Sequence, residues 1–156
     1  FLPSLALVLM TSAAFAADLP QATATGDLGL VIERATGSLV LIDRSDRAAL
    51  GRIEGLGDLS HASLTYSPDE RFAYVFGRDG GLTKVDLLER RIAGRVVQAG
   101  NAIGGSISQD GRIVVAQNYT PGGIKAFDAK PWMDLLNAAE LHPGNASRTY
   151  LELERE

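Results

Sequence analysis

The chain contains no cysteine and only two histidines among its 156 residues. The lack of cysteine excludes disulfides, thiolate-bound metals, iron–sulfur ligation, a cysteine nucleophile and a lipid-modified N-terminal cysteine. Lysine and arginine number 15 against 19 acidic residues, for a net charge of -4, so the basic excess of nucleic-acid-binding proteins is also missing. Nucleic acid is therefore not an expected partner, and histidine and oxygen ligands remain for site chemistry.

Long apolar runs are missing as well. No segment has the roughly 18 consecutive apolar residues of a spanning helix, so no membrane span is expected. Residues 1–16 carry no charge, include an apolar run and end in Ala-Phe-Ala, which is typical of a secretory signal peptide that is incomplete at its start. The alternative is a buried N-terminal helix or a membrane anchor. The signal-peptide interpretation predicts an exported, soluble protein without a lipid anchor.

Glycine, by contrast, is abundant and marks an internal repeat. In residues 37–43, 80–86 and 122–128, glycine leads into an alternating strand that ends on aspartate. The final residues Asp43, Asp86 and Asp128 are 43 and 42 residues apart. A Ser-x-Asp-x-Arg motif at residues 67–71 recurs at residues 108–112, which is an offset of 41. Two independent landmarks therefore give the same period.

A period near 42 residues that holds four short strands is typical of a β-propeller blade. In the best-formed unit, strands are predicted at residues 62–66, 72–76, 82–87 and 92–98. A β-sandwich with accidental self-similarity is the alternative. The predicted fold class is all-β, with residues 27–130 forming about two and a half propeller blades.

This blade count sets the expected domain organisation. Propellers close a ring with roughly four to eight blades, so the chain is expected to be an N-terminal fragment of a longer propeller protein. Residues 17–26 are predicted to be a linker. Residues 131–156 are predicted to be a divergent or truncated tail, which begins with a helix-like segment.

The candidate functional residues lie in connections that share one face of the predicted blades. His61 precedes the first strand of the second unit, and Arg34 and Arg78 occupy matching second-to-third connections. Asn118 and Tyr119 hold the corresponding place in the third unit. Imidazole ligates iron or exchanges protons, and arginine binds carboxylates through paired hydrogen bonds, so the set suits a carboxylated tetrapyrrole. The alternative is a solvated loop surface in which Tyr119 caps a sheet.

Several long strings of the sequence resemble NirF-type proteins of haem d1 biosynthesis. The resemblance covers roughly residues 27–130 and is carried by residues 29–34, 40–43, 54–63, 74–87 and 104–112. These proteins are related to the d1 domain of cytochrome cd1 nitrite reductase, an eight-bladed propeller that holds haem d1 at its channel. The resemblance implies an eight-bladed parent, a periplasmic location and haem d1 or its dihydro precursor as ligand or substrate.

The resemblance also implies roles for single residues. His61 falls where the reductase domain has its proximal haem ligand, and Arg78 falls in a Gly-Arg-Asp run beside the macrocycle. The reductase pattern has a basic residue three positions after the histidine, where this chain has Leu64, so nitrite reduction is not expected. NirF-type proteins also lack the haem c domain, which agrees with the lack of cysteine.

The expected function is therefore the binding of a late haem d1 precursor, dihydro-haem d1, and its maturation for nitrite reductase. His61 would ligate iron or move protons, Arg34 and Arg78 would bind acidic side groups, and Asn118 and Tyr119 would complete the site. The expected partners are the tetrapyrrole, other haem d1 maturation proteins and cytochrome cd1 nitrite reductase. The residues leave open whether the protein is a late-step enzyme or a carrier, and a non-catalytic interaction scaffold is the alternative.

Overall fold

The computed structural model describes residues 25–129, which form ten β-strands in three antiparallel sheets. A 3-10 turn at Thr25–Asp27 leads into the first sheet, which contains β1 (Leu28–Glu33), β2 (Ser38–Asp43) and β3 (Ala48–Ile53). The second sheet contains β4 (Ser63–Tyr66), β5 (Phe72–Phe76), β6 (Gly81–Asp86) and β7 (Arg91–Val97). The third sheet contains β8 (Asn101–Ile107), β9 (Ile113–Thr120) and β10 (Gly123–Asp128).

Within each sheet the strands pair in chain order, which is the meander of a propeller blade. The second sheet is a complete four-stranded blade, and its strands agree to within a residue or two with the four strands predicted from the sequence. By the repeat, β1 to β3 match its last three strands and β8 to β10 match its first three. The all-β, partial-propeller prediction is confirmed, while the number of blades in a closed ring stays a prediction.

Side-chain alternation along β5 shows how the sheets stack. Ala73 and Val75 face the first sheet, whereas Tyr74 and Phe76 face the third, and all four are at most 1% exposed. Strands alternate between two faces, so a strand that is apolar at every position is buried on both. The second sheet is therefore packed between the other two.

Two apolar clusters fill the spaces between the sheets. We call the contact of the first and second sheets the first junction, and that of the second and third sheets the second junction. The buried core of the first junction contains Leu28, Leu39, Leu41, Leu50, Ile53, Leu56, Leu59, Ala62, Ala73, Val75, Val85 and Leu87. That of the second contains Tyr74, Phe76, Leu82, Val114, Ala116, Phe127 and Ala129.

The repeated aspartates at the strand ends have a structural reason. Asp43 Oδ1 accepts hydrogen bonds of 2.9 Å from the backbone N–H groups of Ser45 and Asp46. Asp86 Oδ1 accepts the equivalent bonds from Leu88 and Glu89, at 3.1 and 3.0 Å. Each aspartate thus closes the turn that follows its strand, which is the local hydrogen bonding that makes aspartate a turn residue.

The predicted signal peptide, the linker up to residue 24, residue 130 and the predicted tail at residues 131–156 lie outside the described residues. Across residues 25–129, no helix has the length and apolar character needed to cross a membrane.

Candidate functional site

Three connections meet at the end of the sheets opposite these aspartate turns, at what we call the loop face. They are the β1–β2 turn (residues 34–37), the β3–β4 loop (residues 54–62) and the β5–β6 turn (residues 77–80). The backbone N–H of Leu56 donates to the carbonyl of Gly37 at 3.1 Å, and that of Arg78 donates to the carbonyl of Asp58 at 2.8 Å. The β3–β4 loop is therefore bonded to the turns on both of its sides.

Every third residue of the β3–β4 loop from Leu56 to Ala62 is buried, and His61 lies at an exposed position between them. Leu56 and Leu59 are each 1% exposed in the core of the first junction, and Ala62 is 9% exposed beside them. His61 is exposed in the turn that precedes β4. Leu64, three residues later, packs against the same core, so an apolar contact stands where the reductase pattern has a basic group. The buried apolar side chains therefore anchor the loop in the core, and the His61 side chain is exposed to solvent.

Hydrogen bonds within the loop fix the residues just before His61. The Ser60 backbone N–H donates to Asp58 Oδ1 at 2.8 Å. The side-chain and backbone hydrogen bonds from Ser60 hold the pKa of the Asp58 carboxyl below its usual value, and the positive charge of Arg78 adds to this effect. The loop before His61 therefore carries a carboxylate that is ionised at neutral pH.

The two arginines predicted for the site reach the same loop. The Arg34 guanidinium donates from Nη1 to the carbonyl of Ser60 at 3.3 Å, one residue before His61. Arg78 is fixed at its backbone by Asp58, and its side chain is exposed. The structure thus brings Arg34, Arg78 and His61 together around four loop residues, 58–61.

Asn118 and Tyr119 lie elsewhere than predicted. Both belong to β9, which continues to Thr120, so the connection to β10 consists of residues 121–122. The sequence pattern placed them in that connection because it assigned to this strand the length of the shorter β5. Asn118 is 6% exposed and its Oδ1 accepts a 2.7 Å hydrogen bond from Gln98 Nε2, whereas Tyr119 is 61% exposed. Asn118 is therefore part of the second junction, and Tyr119 is on the surface beside it.

A small polar group in the second junction was not found from the sequence. The Oε1 atom of Gln98 and the Oδ1 atom of Asn101 are buried with no hydrogen-bond partner in the described part of the chain. Lys125 Nζ donates to the backbone carbonyl of Gln98. The available signal was the repeat itself, because Gln98 occupies the place of the apolar Leu56, 42 residues earlier.

The donor set fits an anionic tetrapyrrole. The imidazole of His61 would offer a nitrogen lone pair to an iron held by the macrocycle. Two guanidiniums supply paired donors for carboxylates. Among residues 25–129, no group of three His, Asp or Glu side chains could hold a metal ion directly.

Comparison with known proteins decides the family. The family described as Cytochrome D1 heme domain matches residues 23–143. The chain is 67% identical over 106 residues to Protein NirF of Stutzerimonas stutzeri and 57% identical over 126 residues to Protein NirF of Pseudomonas aeruginosa. The chain is a NirF-type member of the cytochrome D1 heme domain family. The two alignments cover 68% and 81% of this chain but only 27% and 32% of the relatives, so the chain spans about a third of their length or less.

A curated dehydrogenase and two solved structures are also similar to this chain. The dihydro-heme d1 dehydrogenase of Pseudomonas aeruginosa is 30% identical over 124 residues, which is 78% of this chain and 25% of that protein. The solved structure titled dihydro-heme d1 dehydrogenase NirN in complex with DHE is similar with a TM-score of 0.69 and 27% identity, over 76% of this chain and 25% of that one. Hydrazine synthase of Kuenenia stuttgartiensis shares the fold, at a TM-score of 0.63 and 16% identity over 79% of this chain and 37% of that one.

Proposed function

We propose that this chain is part of a periplasmic propeller protein of haem d1 biosynthesis that binds a late precursor, dihydro-haem d1. The observation that carries the proposal is that Arg34 and Arg78 both bond to residues 58–61 of the β3–β4 loop, which contains His61. The similar NirN structure contains bound DHE, which supports a tetrapyrrole as the ligand class. The uncharged residues 1–16 support export to the periplasm.

Each residue of this set has a role that follows from its chemistry. The bound tetrapyrrole would supply an iron centre and the redox chemistry of its ring. His61 would offer its imidazole lone pair to the iron or exchange a proton with the ligand. Arg34 and Arg78 would bind the acidic side groups of the ring through paired, charge-assisted hydrogen bonds. Leu64 makes an apolar core contact, so nitrite reduction is not part of the proposal.

The site serves a catalyst or a carrier equally, because both need the ligand bound and oriented. In either role the protein would assist maturation of the precursor for cytochrome cd1 nitrite reductase. That reductase and other haem d1 maturation proteins are the protein partners that we propose.

Mixing the full-length protein with dihydro-haem d1 and recording the absorption spectrum tests the proposal. Binding is expected to shift the spectrum, and the His61→Ala variant is expected to lose the part of the shift that comes from imidazole ligation. His142→Ala is the matched control, because it removes the other histidine of the chain and should leave the shift intact. Arg34→Gln and Arg78→Gln should each weaken binding by at least about tenfold, since a charge-assisted hydrogen bond contributes roughly 1.5–3 kcal/mol.

The opposite results are as informative. An unchanged spectrum in His61→Ala would remove His61 from the ligand role. A protein that stays colourless and is not stabilised by the tetrapyrrole would favour the interaction scaffold instead.

A further inference from the structure

An ion pair between β7 and the β5–β6 turn lies directly beside the β3–β4 loop. Arg95 Nη2 is 2.5 Å from Asp79 Oδ2, and the two side chains are 24% and 31% exposed. Asp79 is the residue after Arg78, whose side chain belongs to the proposed site. Neither member of the ion pair belongs to the ligand-binding set.

Both members of the pair also bond to the β3–β4 loop. Arg95 Nε donates to the carbonyl of Leu56 at 3.2 Å, and Asp79 Oδ2 accepts from the backbone N–H of Asp58 at 3.4 Å. The other oxygen, Asp79 Oδ1, accepts from the backbone N–H of Gly81 at 2.9 Å, which fixes the carboxylate to its own turn. The pair therefore joins β7 to the β5–β6 turn, which we call the Arg78 turn, and to the β3–β4 loop, which we call the His61 loop.

We infer that the Asp79–Arg95 ion pair is the positioning element of the tetrapyrrole site, which holds the His61 loop in register with the Arg78 turn. The inference rests on the proposed function. His61 and Arg78 would have to bind one ligand at the same time, and two groups on separate connections do so best when their own spacing is fixed in advance. Asp79 and Arg95 act through their neighbours and do not touch the ligand, which makes them positioning residues.

The second sheet contains a matched ion pair at its other end. Arg71 Nη2 is 2.9 Å from Asp86 Oδ2, and this pair joins the β4–β5 turn to the end of β6. The bonds of this pair lie at the end of the sheet that is opposite the His61 loop. Replacement of Arg71 with glutamine therefore removes an ion-paired arginine from the same sheet without touching the loop face.

The test uses the full-length protein and the variants Arg95→Gln, Asp79→Asn, Arg95→Lys and Arg71→Gln, each shown by circular dichroism to be folded. We expect Arg95→Gln and Asp79→Asn to weaken dihydro-haem d1 binding at least about tenfold, as loss of residues that orient metal ligands commonly does. They should also reduce the spectral signature of imidazole ligation and speed hydrogen exchange of residues 54–62. Arg95→Lys should recover part of the binding, and Arg71→Gln should change none of the three.

The outcomes separate this inference from the proposed function. If the unmodified protein binds the tetrapyrrole with a His61-dependent spectrum, and Arg95→Gln behaves like Arg71→Gln, the positioning role is overturned and the proposed function stands. If the unmodified protein binds no tetrapyrrole, the proposed function fails and the positioning role fails with it. Hydrogen exchange of residues 54–62 that is equal in Arg95→Gln and the unmodified protein would overturn the positioning role by itself.

Discussion

The two junctions between the sheets share a backbone arrangement but differ in what they carry. At the first, Leu56, the third residue after β3, donates its N–H to the Gly37 carbonyl at 3.1 Å. At the second, Gln98 makes the same bond to Gly80 at 3.0 Å. The first junction then continues in a loop of nine residues, 54–62, whereas the second turns into β8 after three, 98–100. The additional residues of the longer loop include His61.

The interiors of the junctions differ in the same way. Leu56 is buried in an apolar core, while Gln98 uses its amide to bond Asn118 and leaves a buried oxygen without a partner in the described residues. A long loop needs apolar anchors such as Leu56 and Leu59, because its own backbone bonds are few. The same blade geometry therefore accepts either an apolar or a polar interior, and the loop that carries His61 lies over the apolar one.

The largest expected loss of stability comes from replacing the glycine that stands at the corresponding position of each junction. Gly80 has a φ of +79°, and a Cβ there would lie 1.8 Å from the carbonyl oxygen of Ala99. Gly37 is similar, with a φ of +65° and a Cβ position 2.2 Å from the Gly57 oxygen. Both Gly80→Ala and Gly37→Ala should lower the free energy of unfolding by about 4 kcal/mol, since a strained φ and a backbone collision act together. Chemical denaturation of the full-length protein measures this loss.

Gly100→Ala is the control for these substitutions. A Cβ at Gly100 would have its nearest neighbour at 3.5 Å, which is ordinary contact. Its effect should stay within about 1 kcal/mol. Equal losses for Gly80→Ala and Gly100→Ala would show that the close approach at the second junction is not required.

The next largest loss of stability is expected at a residue of the first junction only. Leu59 is 1% exposed beneath the His61 loop, so Leu59→Ala should cost about 3 kcal/mol through lost burial and the cavity left behind. Hydrogen exchange should rise in residues 54–62 but not in residues 98–100. Leu88→Ala, at a position 44% exposed, is the control and should be nearly neutral. The anchoring role of Leu59 is wrong if the two variants are equally stable.

Local patterns made the fold, and the positions of three candidate-site residues, predictable from the sequence. The period of the Asp43 and Asp86 segments located the strands, because each aspartate closes its own turn by bonds to residues two and three positions later. The meeting of Arg34, His61 and Arg78 followed from blade topology alone, which places alternate connections on one face.

Contacts between distant positions could not be predicted in the same way. Arg95 bonds to the carbonyl of Leu56, 39 residues away, and Gln98 bonds to Asn118, 20 residues away. Such bonds depend on the stacking angle of neighbouring sheets and on the length of β9, and no local pattern encodes either. The displacement of Asn118 from its predicted connection has the same origin.

A moderate effect is expected at the polar group of the second junction. Asn118→Ala leaves the buried Gln98 amide without its partner and should cost about 1–3 kcal/mol. Gln98→Leu combined with Asn118→Ala should recover part of this loss, because the buried Gln98 amide that Asn118→Ala leaves without its partner is then removed as well. A double-mutant cycle of unfolding free energies measures the coupling, and strictly additive losses would show that the two amides do not stabilise each other.

The smallest effect distinguishes the junctions by pH. Hydrogen bonds from Ser60, together with the charge of Arg78, lower the pKa of Asp58 from its usual value of 3.8. Because the folded pKa is the lower one, the ionised carboxylate favours the ordered loop above pH 3.8, and this contribution is lost as pH falls through the folded value. An NMR titration should show the Asp58 carboxyl and the Ser60 amide changing together below pH 3.8.

The second junction and the Asp58→Asn variant are the controls. The amides of Gln98 and Asn118 carry no titrating group, so the bond between them should not respond directly to pH. In Asp58→Asn the Ser60 transition should vanish, and a Ser60 amide that still titrates there would assign the pH response to another carboxylate.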